Sequence, residues 1–70
     1  MNITINKDFI KLDCLLKFSG IASTGGHAKE LILNGAVFVN NHVERQRGNK
    51  VRVGDVVKVE DLIINVCKQA

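Results

Sequence analysis

Arg45, Arg47, Lys50 and Arg52 crowd one short stretch whose only carboxylate is Glu44. A guanidinium presents a planar fork of donors that matches phosphate oxygens and base edges. The chain carries a formal charge of +3, and the whole excess lies in residues 44–52; elsewhere Lys and Arg balance Asp and Glu. Clustered positive charge on an otherwise balanced chain points to a phosphate-rich partner. The competing reading is a solvated loop that needs charge for solubility. Arg45 and Arg47 are two apart, as are Lys50 and Arg52, so in extended backbone the members of each pair share a side. With a turn at Gly48-Asn49 between them, the expectation is two facing basic ladders able to grip a backbone.

The second stretch with chemical potential is Ser23-Thr24-Gly25-Gly26-His27-Ala28-Lys29. Ser23 and Thr24 are both good N-caps. A helix N-terminus offers unpaired N–H groups and a partial positive charge. Glycines remove the side chains that would screen those groups from a phosphate. Lys29, one turn in, adds a point charge, and His27 can donate a hydrogen bond. The alternative is that Gly25 and Gly26 serve only a tight turn or close packing. Each costs a helix roughly 0.5–1 kcal/mol relative to alanine, so some compensating reason is expected.

No catalytic constellation emerges. His27, His42, Cys14 and Cys67 are ligand types for zinc, but their spacing fits no zinc pattern. Thr24 beside His27 reads as a cap rather than an activated nucleophile. Gly25-Gly26 lacks the spacing of a P-loop. Of the three aromatics, Phe9 fits a first helix's apolar set, and Phe38 is out of phase with Val37 and Val39. Phe38 therefore faces away from those valines, as a packing contact or as a platform for a base.

These residues must be positioned by a small scaffold. Asp8 can cap a first helix in which Phe9, Leu12, Leu15 and Leu16 recur at helical spacing, with Cys14 in the apolar set and Gly20 at the end. A second helix carries Ala28, Leu31 and Ile32 as its buried stripe, Leu33 more peripherally, and stops at Asn34-Gly35. The period then changes from helical to alternating. Val37, Val39 and Val43 surround a hairpin tip at Asn40-Asn41, where asparagine tolerates positive φ. Val51 and Val53 form a short extended piece, and Gly54-Asp55 turns. Val57 and Val59 begin a strand, Glu60-Asp61 reverses it, and Leu62, Ile64 and Val66 return. Ile3 and Ile5 give the first residues some strand character. Helices followed by strands argue an α+β domain, two short packed helices on one face of a small, mostly antiparallel sheet.

The 70 residues make a single domain, 1–70, with a modest core. No apolar run approaches the roughly 20 residues needed to span a bilayer. Residues 1–9 do not read as a signal peptide, so the expectation is a cytoplasmic protein with no membrane partner. Two distant cysteines outside any C-x-x-C arrangement read as reduced thiols, although a single long-range disulfide stays open.

Taken together, Leu12-Asp13, Leu16, Gly20-Ile21-Ala22, Thr24, Ala28-Lys29, Leu31-Ile32, Gly35, Val37, Val39-Asn40, Val43 and Gly54-Asp55 resemble the S4 RNA-binding domain. That family's run reads roughly R-L-D-x-x-L, G-[LI]-A-x-S-R-x-x-A-[RK]-x-L-I, G-x-V-x-V-N-G-x-x-V and G-D. The likeness covers about residues 11–59, and the order and spacing of the motifs are more specific than any one of them. The size is similar to that of the stand-alone bacterial S4 proteins of the YbcJ-like type. The resemblance implies an αL fold, with RNA meeting the exposed side of the helices and the adjoining strand and loop. It puts Thr24 at the helix-cap position, Lys29 at the basic position after the alanine, and Arg45 and Arg47 in the basic strand-loop region. Lys11 stands where the family has arginine before Leu-Asp, and Asn41 where it has the hairpin glycine. Gly25 replaces the arginine many members carry after the cap, which shifts the binding load to Lys29 and the Arg45–Arg52 stretch.

The reading that follows is a non-catalytic, monomeric protein without cofactor or metal. It would bind structured RNA, ribosomal or transfer, and associate with a ribosome or ribonucleoprotein. Its contacts would be Lys11, Thr24, Gly25, Gly26, His27, Lys29, Arg45, Arg47, Lys50 and Arg52. The alternative is a protein-interaction module docking on an acidic partner. That would need an apolar anchor such as Phe38 or Phe18, so that losing Phe38 would hurt more than losing Arg47.

Overall fold

The computed structural model describes residues 1–69; residue 70, the last of the single domain read from the sequence, lies outside the described residues. In chain order the elements are β1 (Asn2–Ile5), β2 (Phe9–Lys11), α1 (Leu12–Phe18), α2 (Gly25–Leu33), β3 (Val37–Val39), β4 (His42–Val43), β5 (Lys50–Arg52), β6 (Val56–Val59) and β7 (Leu62–Lys68). Five strands form one sheet in the order β1-β7-β6-β3-β4, and β2 with β5 forms a separate ribbon. All pairings are antiparallel except β1 with β7. The fold is therefore α+β, two helices and a mostly antiparallel sheet, as its periodicities imply.

Alternation decides which face of the sheet is buried. Val37 pairs with Val59 and Val57 with Ile64, and all four point into the core. Phe38, Lys58 and Ile63 lie between them and face the other way. Phe38 is half-buried there, outside the core. The hairpin tip has Asn40 at φ 50° and Asn41 at φ 70°, the left-handed pair that a two-residue turn between twisted strands requires. The helices close the core with Leu12, Leu15 and Leu16 from α1 and Ala28 and Ile32 from α2. Among the described residues no polar or charged side chain is buried, so the fold rests on apolar packing.

The first helix differs from its sequence expectation. Residues 9–11 are strand, not helix, and α1 starts only at Leu12. Asp8 caps nothing; the N-cap position is Lys11, with no side-chain cap bond. Phe9 lies three residues before Leu12, a spacing that fits a helical stripe, but its backbone pairs with Arg52 across the ribbon. Cys14 is exposed rather than part of the apolar set. Gly20 does follow the helix end, at φ 87°. In α2 the buried stripe is Ala28 and Ile32, while Leu31 is only half-buried against it.

These burials rank the costs of truncation. Leu16→Ala removes a side chain with no exposed surface and should destabilise by about 2–5 kcal/mol. Leu31→Ala should cost less, about 1–2 kcal/mol, because half of that transfer energy is never gained. Urea midpoints at unchanged m-value measure both. Equal losses would contradict the helix register.

Candidate nucleic-acid interface

The basic stretch is held in place by backbone. A helix leaves its first N–H groups without intrahelical partners, and α1 has no capping side chain. Instead Leu12 N donates to the Asn49 carbonyl at 2.9 Å, and Asp13 N to the Arg47 carbonyl at 3.1 Å. Asp13 Oδ1 takes the next amide, Cys14 N, at 2.8 Å. The acceptors belong to a turn closed by Asn49 N donating to Gln46 O at 3.1 Å. Arg47-Gly48 is thus the centre of the turn, one residue earlier than the sequence indicates. The same carbonyls that cap α1 fix the turn from which the Arg47 side chain projects.

After this turn the chain enters β5, which pairs with β2: Phe9 with Arg52, Ile10 with Val51, Lys11 with Lys50. Val51 is buried and Ile10 half-buried, so the opposite face of the ribbon carries Phe9, Lys11, Lys50 and Arg52. Two basic ladders facing across the turn do not form. The partner of Lys50 is Lys11, some forty residues away in sequence, and Arg45–Arg47 is not a strand. Lys50 Nζ stands 4.9 Å from the centre of the Phe9 ring and the Arg52 guanidinium 5.9 Å. Both distances allow cation–π attraction. Lys11 directly opposite Lys50 is a like-charge pair, which a sheet tolerates at a cost.

Arg45 goes elsewhere. Its guanidinium lies against Gly35, where an added Cβ would stand 2.8 Å from Nη2, and Gly35 is itself at φ 75°. This is the C-terminal end of α2, the negative end of its dipole. Thr24, Gly25, Gly26 and His27 sit at the other end, about 13 Å away by helix rise. Arg45 and the Thr24–His27 stretch therefore occupy opposite ends of α2, with exposed Lys29 between them, while Arg47, Lys50 and Arg52 stand on the turn and ribbon beside α1.

At the N-terminus of α2, Thr24 Oγ1 accepts from His27 N at 3.0 Å. His27 Nδ1 accepts from Ser23 N at 3.2 Å, which leaves Nε2 as its outward nitrogen. Gly25 and Gly26 occupy the first two helical positions, whose N–H groups have no intrahelical acceptor. A Cβ at Gly25 would meet nothing within 4 Å, and one at Gly26 only Thr24 Oγ1 at 3.8 Å. Neither backbone strain nor packing calls for glycine at these positions, so the tight-turn and close-packing explanations do not hold.

A second clasp secures the end of β5. Asp55 Oδ2 accepts from Arg52 N at 2.8 Å, and Asp55 Oδ1 accepts from Asn40 Nδ2 at 3.0 Å. Asn40 Oδ1 in turn accepts from Val56 N at 2.9 Å. One aspartate thus ties the hairpin tip to the basic strand. The sequence reading missed Phe9 as a member of this surface; its signal was the alternation of Phe9, Ile10 and Lys11, too short to stand against a helical spacing.

Among the described residues, no group of three or more His, Cys, Asp or Glu could hold a metal ion. Cys14 and Cys67 are free thiols. Among the described residues no helix is long and apolar enough to cross a membrane.

Residues 3–67 match the family described as the S4 domain. The chain is also similar to a protein of Bacillus subtilis (strain 168) named "Probable ribosome maturation protein RlbA". The two are 38% identical over 58 residues, which span 83% of this chain and 82% of that relative.

The cap that the turn supplies is measurable. First-turn amides of a helix normally exchange fast. Leu12 and Asp13 should instead show hydrogen-exchange protection similar to that of the α1 interior. Fast exchange at both would mean that the turn is not docked on the helix.

Proposed function

The chain belongs to the S4 domain family, and from that premise we propose that it is a non-catalytic protein that binds structured RNA, ribosomal or transfer, through the basic ribbon and turn together with α2. The observation that carries this reading is the concentration of the whole +3 excess in residues 44–52 on a turn and strand docked by backbone bonds to α1. Lys11 and Lys50 are paired across the ribbon as like charges, with Arg52 on the same face, and among the described residues no carboxylate pairs with them there. A polyanion supplies the missing countercharge.

The roles follow from placement. Arg47 at the turn and Lys11, Lys50 and Arg52 on the ribbon contact phosphates. Gly25 and Gly26 present open N–H groups to a further phosphate, with Thr24 holding the turn in shape and His27 Nε2 and Lys29 flanking it. Arg45, at the C-terminal end of α2, contacts the edge of the same backbone. Shape recognition of a folded RNA fits a surface whose cations are spread over α2, the turn and the ribbon. The name of the Bacillus subtilis relative supports a ribosome-related role, with ribosomal RNA or a ribonucleoprotein as partner. We take the chain to act as one domain, as a monomer and in the cytoplasm.

Docking on an acidic protein is the second reading. One candidate anchor, Phe38, lies on the outer face of the sheet, pairing with Lys58 and Val43, apart from the basic ribbon, so an acidic partner that used it would have to cover both surfaces at once. The other, Phe18, is exposed at the end of α1.

Two sets of variants test the proposal. Arg45→Ala with Arg47→Ala should weaken binding to a structured ribosomal RNA fragment about tenfold or more while the melting temperature is unchanged; unaltered affinity would refute the assignment. Gly25→Ala should stabilise the domain by about 0.5–1 kcal/mol and also weaken RNA binding. Stabilisation with full affinity would remove the α2 N-terminus from the site.

A further inference from the structure

Beside the ribbon lies an open groove of about 650 Å³, within the size range of small-ligand sites. Phe9 and Ile10 line it, as do Cys14 and Phe18 from α1, and Lys7 and Lys11 add cations. Phe18 is 68% exposed. Among the described residues it is the most exposed large apolar side chain, ahead of Leu33 at 53%. Cys14 and Phe18 are four residues apart and share one face of α1, and Lys11 closes β2 just before that helix begins.

We propose that this groove takes a single unpaired nucleobase extruded from the bound RNA, stacked on Phe18, with Lys7 and Lys11 on its flanking phosphates. The inference rests on the RNA-binding reading and names the part of the RNA that this chain would distinguish. Three observations carry it. The groove is continuous with the basic ribbon through Phe9 and Lys11, which belong to both. Its charged lining is cationic, with no carboxylate among the described residues that form it. An apolar floor with cations matches a flat aromatic base joined to phosphodiesters, whereas an apolar peptide would leave both lysines without a partner. Every base has a face that can stack, so an exposed phenylalanine serves any nucleotide.

The test uses two fluorescein-labelled RNA hairpins, identical except that one carries a single-adenosine bulge. The full chain should bind the bulged hairpin roughly tenfold more tightly, the order of one base–aromatic stack. Phe18→Ala should reduce the bulged hairpin to the affinity of the paired one and leave the paired one unchanged. Phe18→Trp should keep the preference. The chain contains no tryptophan, so the indole of that variant is a unique reporter, and the bulged hairpin alone should quench it. Equal binding of the two hairpins by the unaltered chain, or an equal loss on both with Phe18→Ala, overturns the base pocket and leaves the RNA-binding reading standing. Failure of both hairpins to bind at low salt overturns that reading, and the pocket with it.

Discussion

Two backbone carbonyls, those of Arg47 and Asn49, are the constraint on which the rest of this surface depends. A helix of seven residues has little stability of its own, and α1 carries no side chain that caps its start. The turn supplies that cap from a distant part of the chain. It also fixes where Arg47 projects, and it aligns Lys50 beside Lys11 in the ribbon that follows. The folding of α1 and the placement of the cations are therefore one event. A mobile basic loop would lose conformational freedom on meeting an anion, and this one has already lost it on folding.

The far end of the ribbon is held by a different device. Asp55 joins the hairpin tip through Asn40 and the basic strand through Arg52 N. The small sheet and the two-stranded ribbon are thereby coupled without any buried polar side chain among the described residues. This leaves the apolar core, built from alternating valines and two helical stripes, free of electrostatic demands. The unfavourable features all sit on the surface: a lysine opposite a lysine, two glycines in the first turn of α2, and an open phenylalanine. None of these helps folding, and each has a purpose if the partner is a polyanion with bases that stack.

Much of the fold is legible in the amino-acid sequence. Thr24 as a cap and Asn34-Gly35 as a stop bracket α2 to within a residue. Of the alternating sets, Val37, Val57, Val59, Ile64 and Val66 do form the core face of the sheet, while Val43 and Leu62 at the strand ends are exposed, and Asn40-Asn41 marked the hairpin tip. What failed was local to Phe9. Its distance from Leu12 suits a helix, and a three-residue strand has too few positions to contradict that. Its true partner, Arg52, is a long-range choice that no local pattern encodes. The site was legible in residue types but not in arrangement. Arg45 and Arg47 were grouped by proximity in sequence, yet Arg45 follows the end of α2 while Arg47 crowns the turn. Whether Gly25 and Gly26 served packing was undecidable from letters alone; it needed the empty space around them.

The central claim is that a rigid set of cations grips phosphates. It is tested most directly by fluorescence anisotropy titration of a structured ribosomal RNA fragment at several salt concentrations. Release of counterions from about four phosphates predicts saturable binding whose log affinity falls against log salt with a slope of about −3. A slope near zero, or no saturable binding even at low salt, would contradict it and turn attention to a protein partner.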